Sequence, residues 1–367
     1  QAPAPDASQP TPDELLLKDY RPQPIFKIPK TDIKKAKYPV IDVHSHGPRP
    51  IEQLPEFVKT MDAANVEKTV ILTGANSVER FAEVSRAYSS YPGRFELWCG
   101  FDLTGFGEPR FGPNAVKALE ECHRLGAVGV GEVSDKGWGF RTSAARRSAV
   151  GATPAGQRPA PGPGPHPDDP RIDALWDKCA QLGMPVNIHV SDPIWAYEPM
   201  DKTNDGLPNG YKWRIDDKQP GIFGHNALIE SLERTLEKHR KTTFVACHLV
   251  NLGYDLTRLG QMLERHPNLY LDISARFGEL APIPRASAEF FQKYPDRSLY
   301  GSDMAYSQRM FTSTFRILET LDEHFYEFDL DVCYDYHWPL HGFGLPDAVL
   351  KKMYRDNALE VFRRARS

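Results

Sequence analysis

Short apolar runs recur eight times along the chain, and a helical pattern follows each of them. The runs occupy positions 39–44, 68–72, 95–101, 128–133, 185–189, 243–248, 269–273 and 298–302. They are rich in Val, Ile and Leu, which is typical of strands buried on both faces of a parallel sheet. Eight strand–helix units predict an α/β protein with a (β/α)8 barrel, the TIM-barrel fold, whose functional sites lie at the carboxyl ends of the strands.

The segments between and around the strands complete the predicted organisation. Helical patterns occupy positions 52–64, 77–90, 113–125, 171–182, 226–239, 256–266 and 286–293, and two more follow the last strand at 311–325 and 346–364. The Pro- and Lys-rich residues 1–37 predict an N-terminal extension wrapped over one barrel domain at 38–367. Two long βα loops, 136–170 and 191–224, should hang over the carboxyl-end face. We expect the first to be mobile because its Pro/Gly run cannot pack a core.

Side chains that commonly bind metals stand at the ends of five predicted strands. His44 and His46 are separated by one residue, so in an extended strand they point to the same side. The later strands end in further candidates, which are Glu132, His189, His248 and Asp303. Because the carboxyl ends of barrel strands meet on one face, we expect all six side chains to converge. The pattern therefore predicts a divalent-metal centre.

The ligand types indicate what such a centre does. Imidazole nitrogens and carboxylate oxygens suit zinc and similar ions, and a catalytic site keeps one position for water. A bound ion brings the pKa of that water near neutrality, which favours hydrolytic chemistry. Asp303, beside the ion, is then a candidate proton acceptor, and His248 is a candidate for orienting the water or polarising the substrate.

Glu132 leaves the number of ions open. As a ligand it could bridge two ions, with His44 and His46 on one and His189 and His248 on the other. Alternatively, it binds substrate or accepts a hydrogen bond behind the ligands. The sequence therefore predicts one or two ions, with Glu132 among the candidate ligands.

Four residues are candidates for binding substrate. Arg276 follows the seventh strand and could hold a carboxylate in a bidentate pair, or it could form a structural pair with Asp272 or Glu279. Trp195 could stack on a ring or anchor its loop. The last two, Tyr306 and His337, either line the pocket or pack over the barrel.

These residues together resemble the amidohydrolase superfamily, and specifically its amidohydrolase-related branch of small-lactone hydrolases and non-oxidative decarboxylases. The matching segments are Asp-Val-His-Ser-His at 42–46, Val-Asn-Ile-His at 186–189, Cys-His at 247–248, Leu-Tyr-Gly-Ser-Asp-Met at 299–304 and Met-Tyr-Arg-Asp-Asn-Ala-Leu at 353–359. The resemblance implies that His44, His46, His189 and Asp303 hold a metal, usually zinc. It also implies that His248 activates water or substrate. The segment Gly-Glu-Val at 131–133 is more similar to the strand-four glutamate of TatD-type nucleases.

Net charge and composition limit the classes of partner that the sequence leads us to expect. The net charge of −4 gives no reason to expect nucleic acid or an anionic membrane surface. No apolar run approaches the roughly 20 residues that span a bilayer. We therefore expect a small-molecule substrate and allow for a homo-oligomer. The five cysteines form no CxxC pair and predict no disulfide framework. The Pro- and Ala-rich start at Gln1 fits a removed signal peptide, hence a secreted or periplasmic protein, or else a truncated chain.

The sequence thus favours a metal-dependent hydrolase that acts on a small ester, lactone or amide. The first alternative is a metal-dependent decarboxylase of an aromatic or unsaturated acid, with Arg276 fixing the carboxylate. The second is a secreted binding protein without catalysis on the same barrel, which a complete set of metal ligands disfavours.

Overall fold

A computed structural model describes residues 11–140, 164–304, 306–327 and 338–365. Eight parallel strands form one sheet in the order β1 to β8. The strands are β1 Val40–Ser45, β2 Val66–Leu72, β3 Phe95–Cys99, β4 Gly129–Asp135, β5 Val186–Val190, β6 Phe244–Ala246, β7 Leu269–Asp272 and β8 Ser298–Leu299. The predicted barrel and all eight predicted strands are confirmed.

Backbone hydrogen bonds join β1 to the segment that follows β8. The Val43 N–H donates to the Tyr300 carbonyl (3.0 Å), and the Asp303 N–H donates to the His44 carbonyl (2.8 Å). A side chain at Gly301 would place its Cβ 2.9 Å from the Cβ of His44, so this close approach requires glycine. These contacts bring the two ends of the sheet together, and we call residues 42–44 with 300–303 the seam.

Helices cover the outside of the sheet. They are α1 Leu54–Ala64, α2 Val78–Tyr88, α3 Phe111–Arg124, α4 Asp173–Leu182, α5 Leu207–Trp213, α6 His225–Lys238, α7 Leu256–Arg265, α8 Phe277–Leu280, α9 Pro284–Lys293, α10 Gln308–Glu319, α11 Asp347–Lys351 and α12 Asn357–Ala365, with a π-helical turn, Lys352–Asp356, between the last two. Each predicted helix is present, whereas α5 and α8 were not predicted. In α7, the buried residues Leu259, Met262 and Leu263 are spaced for one helical face, and Asp255 caps the first turn through the Arg258 N–H.

The core has two parts. One cluster joins residues of β1, β2, β3, β6, β7 and β8 to the last helix, and it includes Ile41, Val70, Trp98, Val245 and Leu299. Because these strands lie on different sides of the barrel, their side chains can meet only in its interior. The larger cluster fills the layer between the sheet and the helices. Burial of apolar surface on both faces of the strands explains why their sequences are almost continuously apolar.

The chain before β1 lies against the outer helices. The Thr31 hydroxyl donates to Asp322 (2.7 Å), and the Lys37 backbone N–H donates to Glu319 (2.9 Å). The Lys37 ammonium also binds Asp347 at 2.5 Å. No helix in the described ranges is long and apolar enough to cross a membrane.

The end of the first long loop is packed, which differs from the expectation of a mobile loop. The His166 ring stacks on Phe223 with centroids 3.7 Å apart, and its Nδ1 lies 2.7 Å from Asp135 Oδ2. The Trp176 indole donates to the Pro167 carbonyl (3.0 Å). The Pro/Gly run up to residue 163 lies outside the described residues.

Candidate metal centre

Asp303 lies among three imidazoles at the carboxyl ends of the strands. Its Oδ1 is 3.4 Å from His44 Nε2 and 3.3 Å from His46 Nε2, and its Oδ2 is 3.6 Å from His248 Nε2. Residues from β1 and from the ends of β6 and β8 therefore converge, as their strand-end positions predict. Asp303 is 22% exposed, so water can reach it.

Glu132 approaches the same centre from β4. Its Oε2 is 3.4 Å from His46 Nε2, its Oε1 contacts His189 Nδ1, and Oε1 is also 3.9 Å from His248 Nε2. All six predicted side chains thus lie in one neighbourhood. The short contact with His189 agrees equally with a shared ion and with a direct hydrogen bond, so the ligand role of Glu132 stays a prediction.

Two overlapping sets of side chains have ligand atoms close enough to hold an ion. Within each set these atoms lie within 4.8 Å of one another, and the sets are His44 with His46 and Asp303, and His44 with Glu132, Cys247 and His248. His189 belongs to neither set in the described part of the chain, so its place among the ligands stays a prediction. Because His44 is shared, the sets describe neighbouring positions in a single centre.

β1 carries an irregularity at the predicted His-x-His pair. Asp42 pairs with Thr69, but Ser45 pairs with Ile71, so β1 has one extra residue in this stretch. A bulge of this kind re-aims side chains and is common beside active sites. The expectation that both histidines face one point nevertheless holds, because the Nε2 atoms of His44 and His46 both approach the same Asp303 oxygen.

The centre contains four histidines, and one ring nitrogen of each is hydrogen-bonded to an oxygen outside the set of candidate ligands. The partners are Asp272 Oδ2 for His44 Nδ1 (3.0 Å), Leu72 O for His46 Nδ1 (3.2 Å), Ser274 O for His248 Nδ1 (2.8 Å) and Ser191 O for His189 Nε2 (2.9 Å). A carbonyl or carboxylate oxygen accepts, so these nitrogens carry protons. In the neutral form of each ring the other nitrogen has a lone pair directed at the centre, which is the arrangement of metal-binding histidines.

The electrostatics of the centre favour a cation. Burial alone would raise the pKa of the Glu132 and Asp303 carboxyls, but the neighbouring imidazoles hold both pKa values well below the ordinary range. Burial would lower the pKa of His46, but Asp303 and Glu132 raise it to about 9. His248 differs, since burial and the charges of His189 and Arg276 hold its pKa well below the ordinary value. His248 is therefore neutral at physiological pH.

One buried atom at the centre lacks a partner. Within the described ranges, His44 Nε2 is inaccessible to solvent and makes no hydrogen bond. Leaving such a nitrogen unsatisfied costs about 1–3 kcal/mol. A divalent ion would satisfy it and would also offset the charges of Asp303 and Glu132. The donors present therefore fit a divalent metal.

Several residues just beyond the strands have left-handed backbone conformations. Ser191, Ala275 and Asp303 have φ values of 69°, 58° and 50°, and the run 248–251 after β6 has φ values between 55° and 58°. This conformation costs roughly 1–2 kcal/mol per non-glycine residue. It includes Val250, whose branched Cβ makes it an outlier. The strand β6 ends at Ala246, and the left-handed run begins two residues later at His248, whose Nε2 lies 3.6 Å from Asp303 Oδ2.

Asp272 was missed as a member of this site. The sequence suggested it only as a structural partner of Arg276, whereas the structure places its carboxylate on His44. Arg276 contacts Glu279 instead, with Nε 2.9 Å from Oε2, and its guanidinium donates to Asn251 Oδ1. The available signal was a carboxylate at the end of an otherwise apolar strand.

Cys247 was also missed. Its position in an apolar run suggested a small hydrophobic residue, and the side chain is indeed buried. However, Sγ donates to Asn187 Oδ1 (2.9 Å) and lies within ligand distance of His44, Glu132 and His248. The only signal in the sequence for a place in the centre was its position directly before His248.

Two of the candidate substrate-binding residues, Trp195 and Tyr306, pack against other aromatic rings. The Trp195 ring packs against Trp338 with centroids 5.6 Å apart. The Tyr306 ring packs on Phe57 of α1 (4.7 Å), and its hydroxyl binds Gln53. His337 lies outside the described residues. Substrate contact by these three side chains and by Arg276 stays a prediction.

The sequence pattern of one protein family matches almost the whole chain. A model of the family described as amidohydrolase matches residues 41–364. The chain belongs to the amidohydrolase family. The resemblance of the strand-end motifs is thereby confirmed. None of the curated proteins matches the sequence.

Solved structures share the amidohydrolase barrel at low identity. Bb4693, an uncharacterised TIM-barrel protein from Bordetella bronchiseptica, is 18% identical with a TM-score of 0.54, over 89% of this chain and 99% of that one. A 2,6-dihydroxybenzoate decarboxylase from Rhizobium is 15% identical with a TM-score of 0.50, over 89% and 99%. A 4-oxalomesaconate hydratase from Rhodopseudomonas palustris is 14% identical with a TM-score of 0.49, over 89% and 96%. The similarities to the Bordetella and Rhizobium structures concern the fold alone.

Proposed function

We propose that this amidohydrolase-family protein is a metal-dependent hydrolase that adds water to the carbonyl of a small ester, lactone or amide. The observation that carries the proposal is the position of Asp303. Its carboxylate faces the Nε2 atoms of His44, His46 and His248 at 3.3–3.6 Å and is 22% exposed. A carboxylate so placed can bind an ion with one oxygen and accept a proton from attacking water with the other.

The ion would be held by His44, His46 and Asp303, with Glu132 and His189 as further ligands, and zinc is the metal that this donor set suits best. When bound, such an ion polarises a carbonyl and lowers the pKa of a water ligand. Asp303 receives the proton of the attacking water and delivers it to the leaving group. His248 stays neutral, and its Nε2 is directed at the substrate oxygen or the water.

The surroundings of Arg276 favour hydrolysis over decarboxylation. In the decarboxylase alternative, Arg276 is the side-chain cation expected to fix the carboxylate beside the ion. Its side chain is buried and is already engaged with Glu279 and Asn251. A cation matched by a buried carboxylate offers a second carboxylate little net attraction.

The test is isotope incorporation during turnover. Zinc-loaded protein is incubated in H₂¹⁸O with a panel of lactones, esters and amides, and with a parallel panel of aromatic and unsaturated acids. Hydrolysis places ¹⁸O in a product carboxylate, as measured by mass spectrometry. Release of carbon dioxide from an acid, with no turnover on the first panel, would replace this proposal by decarboxylation. Binding to panel members without turnover of either kind would indicate the non-catalytic alternative.

A further inference from the structure

Asp272 ends β7, and its side chain is fully buried. Its single ion-pair partner in the described part of the chain is His44, whose Nδ1 lies 3.0 Å from Oδ2. A buried carboxylate without lysine or arginine must recover its lost hydration through hydrogen bonds. The groups that donate to Asp272 therefore indicate its role.

Five donors converge on the Asp272 carboxylate. Oδ2 accepts from His44 Nδ1 (3.0 Å) and Asn187 Nδ2 (3.1 Å). Oδ1 accepts from the backbone N–H groups of His248 (3.2 Å) and Ser274 (3.1 Å), and from the Ser274 hydroxyl. A carboxylate has about four lone-pair positions, so its capacity is filled, and only the ionised form can accept from every donor. The donors come from β1 and β5 and from the residues that follow β6 and β7.

The first consequence concerns His44. With a carboxylate accepting at Nδ1, the proton of the neutral ring is held there, and Nε2 is left with its lone pair. That Nε2 is one of the buried atoms without a hydrogen-bond partner among the described residues, and it lies 3.4 Å from Asp303 Oδ1. Asp272 thus selects the tautomer in which His44 can bind an ion.

The second consequence concerns His248, the first left-handed residue after β6. Asp272 binds its backbone N–H, and the Ser274 carbonyl and hydroxyl lie 2.8 and 2.9 Å from its Nδ1. The Ser274 hydroxyl is itself oriented by its bond to Asp272. The backbone and the ring of His248 are therefore both fixed through the same carboxylate.

We propose that Asp272 is a positioning residue that directs the Nε2 atoms of His44 and His248 into the metal centre. The inference deepens the proposed function and rests on the metal centre described there. It assigns Asp272 no contact with substrate. Removal of such a partner behind a ligand typically weakens metal binding by about 10–100-fold.

The test compares two Asp→Asn variants by their affinity for cobalt(II), measured in competition with a chromophoric chelator. Asp272→Asn keeps the side-chain shape but turns one acceptor into a donor that faces other donors, and we expect about 10–100-fold weaker binding. The matched control is Asp135→Asn. Asp135 also ends a strand, is fully buried, and binds a histidine outside the cluster, His166, at 2.7 Å. We expect the control to bind cobalt with wild-type affinity.

Proton NMR of the cobalt-loaded protein gives a readout besides affinity. A buried imidazole N–H bonded to Asp272 should appear as a hyperfine-shifted signal that exchanges slowly with solvent. We expect one such signal to disappear in Asp272→Asn and to persist in Asp135→Asn. If Asp272→Asn does not fold, absence of every slowly exchanging imidazole signal from the wild type overturns the proposal.

The outcomes separate the two proposals. Wild-type protein that retains no cobalt overturns both the metal-dependent activity and the role of Asp272. Wild-type protein that binds cobalt, together with an Asp272→Asn variant that binds it equally well, overturns the role of Asp272 alone.

Discussion

The Asp303→Asn substitution removes one negative charge from the centre and keeps the size of the side chain. The wild-type carboxylate contacts three imidazoles and is partly exposed. An attacking water can therefore reach it and transfer a proton to it. An amide can still offer one oxygen to a metal but cannot accept that proton. A general base contributes about 10²–10⁴-fold to turnover, which corresponds to about 2.7–5.4 kcal/mol of activation free energy. We expect a loss of that size.

The assay uses the panel member that the wild type hydrolyses fastest, with zinc at saturating concentration. Elemental analysis of each sample separates loss of the ion from loss of the proton acceptor. Asp135→Asn serves as the control for an Asp→Asn change at a buried strand end, and it should retain wild-type turnover. An Asp303→Asn protein that carries a full complement of metal and turns over near the wild-type rate would refute the role of Asp303.

Three further predictions concern the metal and its surroundings. His44→Ala combined with His46→Ala should leave less than about a tenth of an equivalent of bound metal by elemental analysis, since a catalytic zinc has about three protein ligands, and a replete double variant would contradict the site. In chelator-treated protein, Asp303 and Glu132 favour the charged form of His46. This charge stabilises the folded protein fully below the unfolded pKa of about 6.5, and the stabilisation is lost as the pH rises through about 9. A melting temperature that stays constant between these pH values would argue against the anionic centre. Cys247 donates its proton to Asn187, whose amide is held by Asp272, so the sulfur should remain a thiol. Cobalt-loaded protein should then lack thiolate-to-cobalt absorption in the near ultraviolet, and a band abolished by Cys247→Ser would show the opposite.

The sequence predicts the barrel and most of the centre because both depend on periodicity. Apolar runs of strand length give the eight strands, and a barrel brings all their carboxyl ends to one face. His44, His46, His189, His248 and Asp303 are then placed by their strand-end positions alone. The prediction does not require the contacts between individual strands to be known.

The parts that could not be predicted depend on contacts between distant segments. Asp272 binds His44 across 228 positions of sequence, and a lone carboxylate in an apolar strand does not reveal its partner. The left-handed run after β6 contains Leu249 and Val250, which have no preference for that conformation. Their complete burial holds them there, and burial of this kind depends on the assembled fold.

The seam links the chemistry of this protein to the mechanical integrity of its barrel. The Asp303 N–H donates to the His44 carbonyl at the place where the first and last strands meet, and both side chains face the candidate metal centre. An ion bound there crosslinks the two ends of the sheet, and an ion present at 100 times its dissociation constant adds about 2.7 kcal/mol to the free energy of unfolding. An ion bound to both side chains would therefore oppose separation of the two ends of the sheet, and hydrogen exchange of the Asp303 amide should slow when the ion is bound.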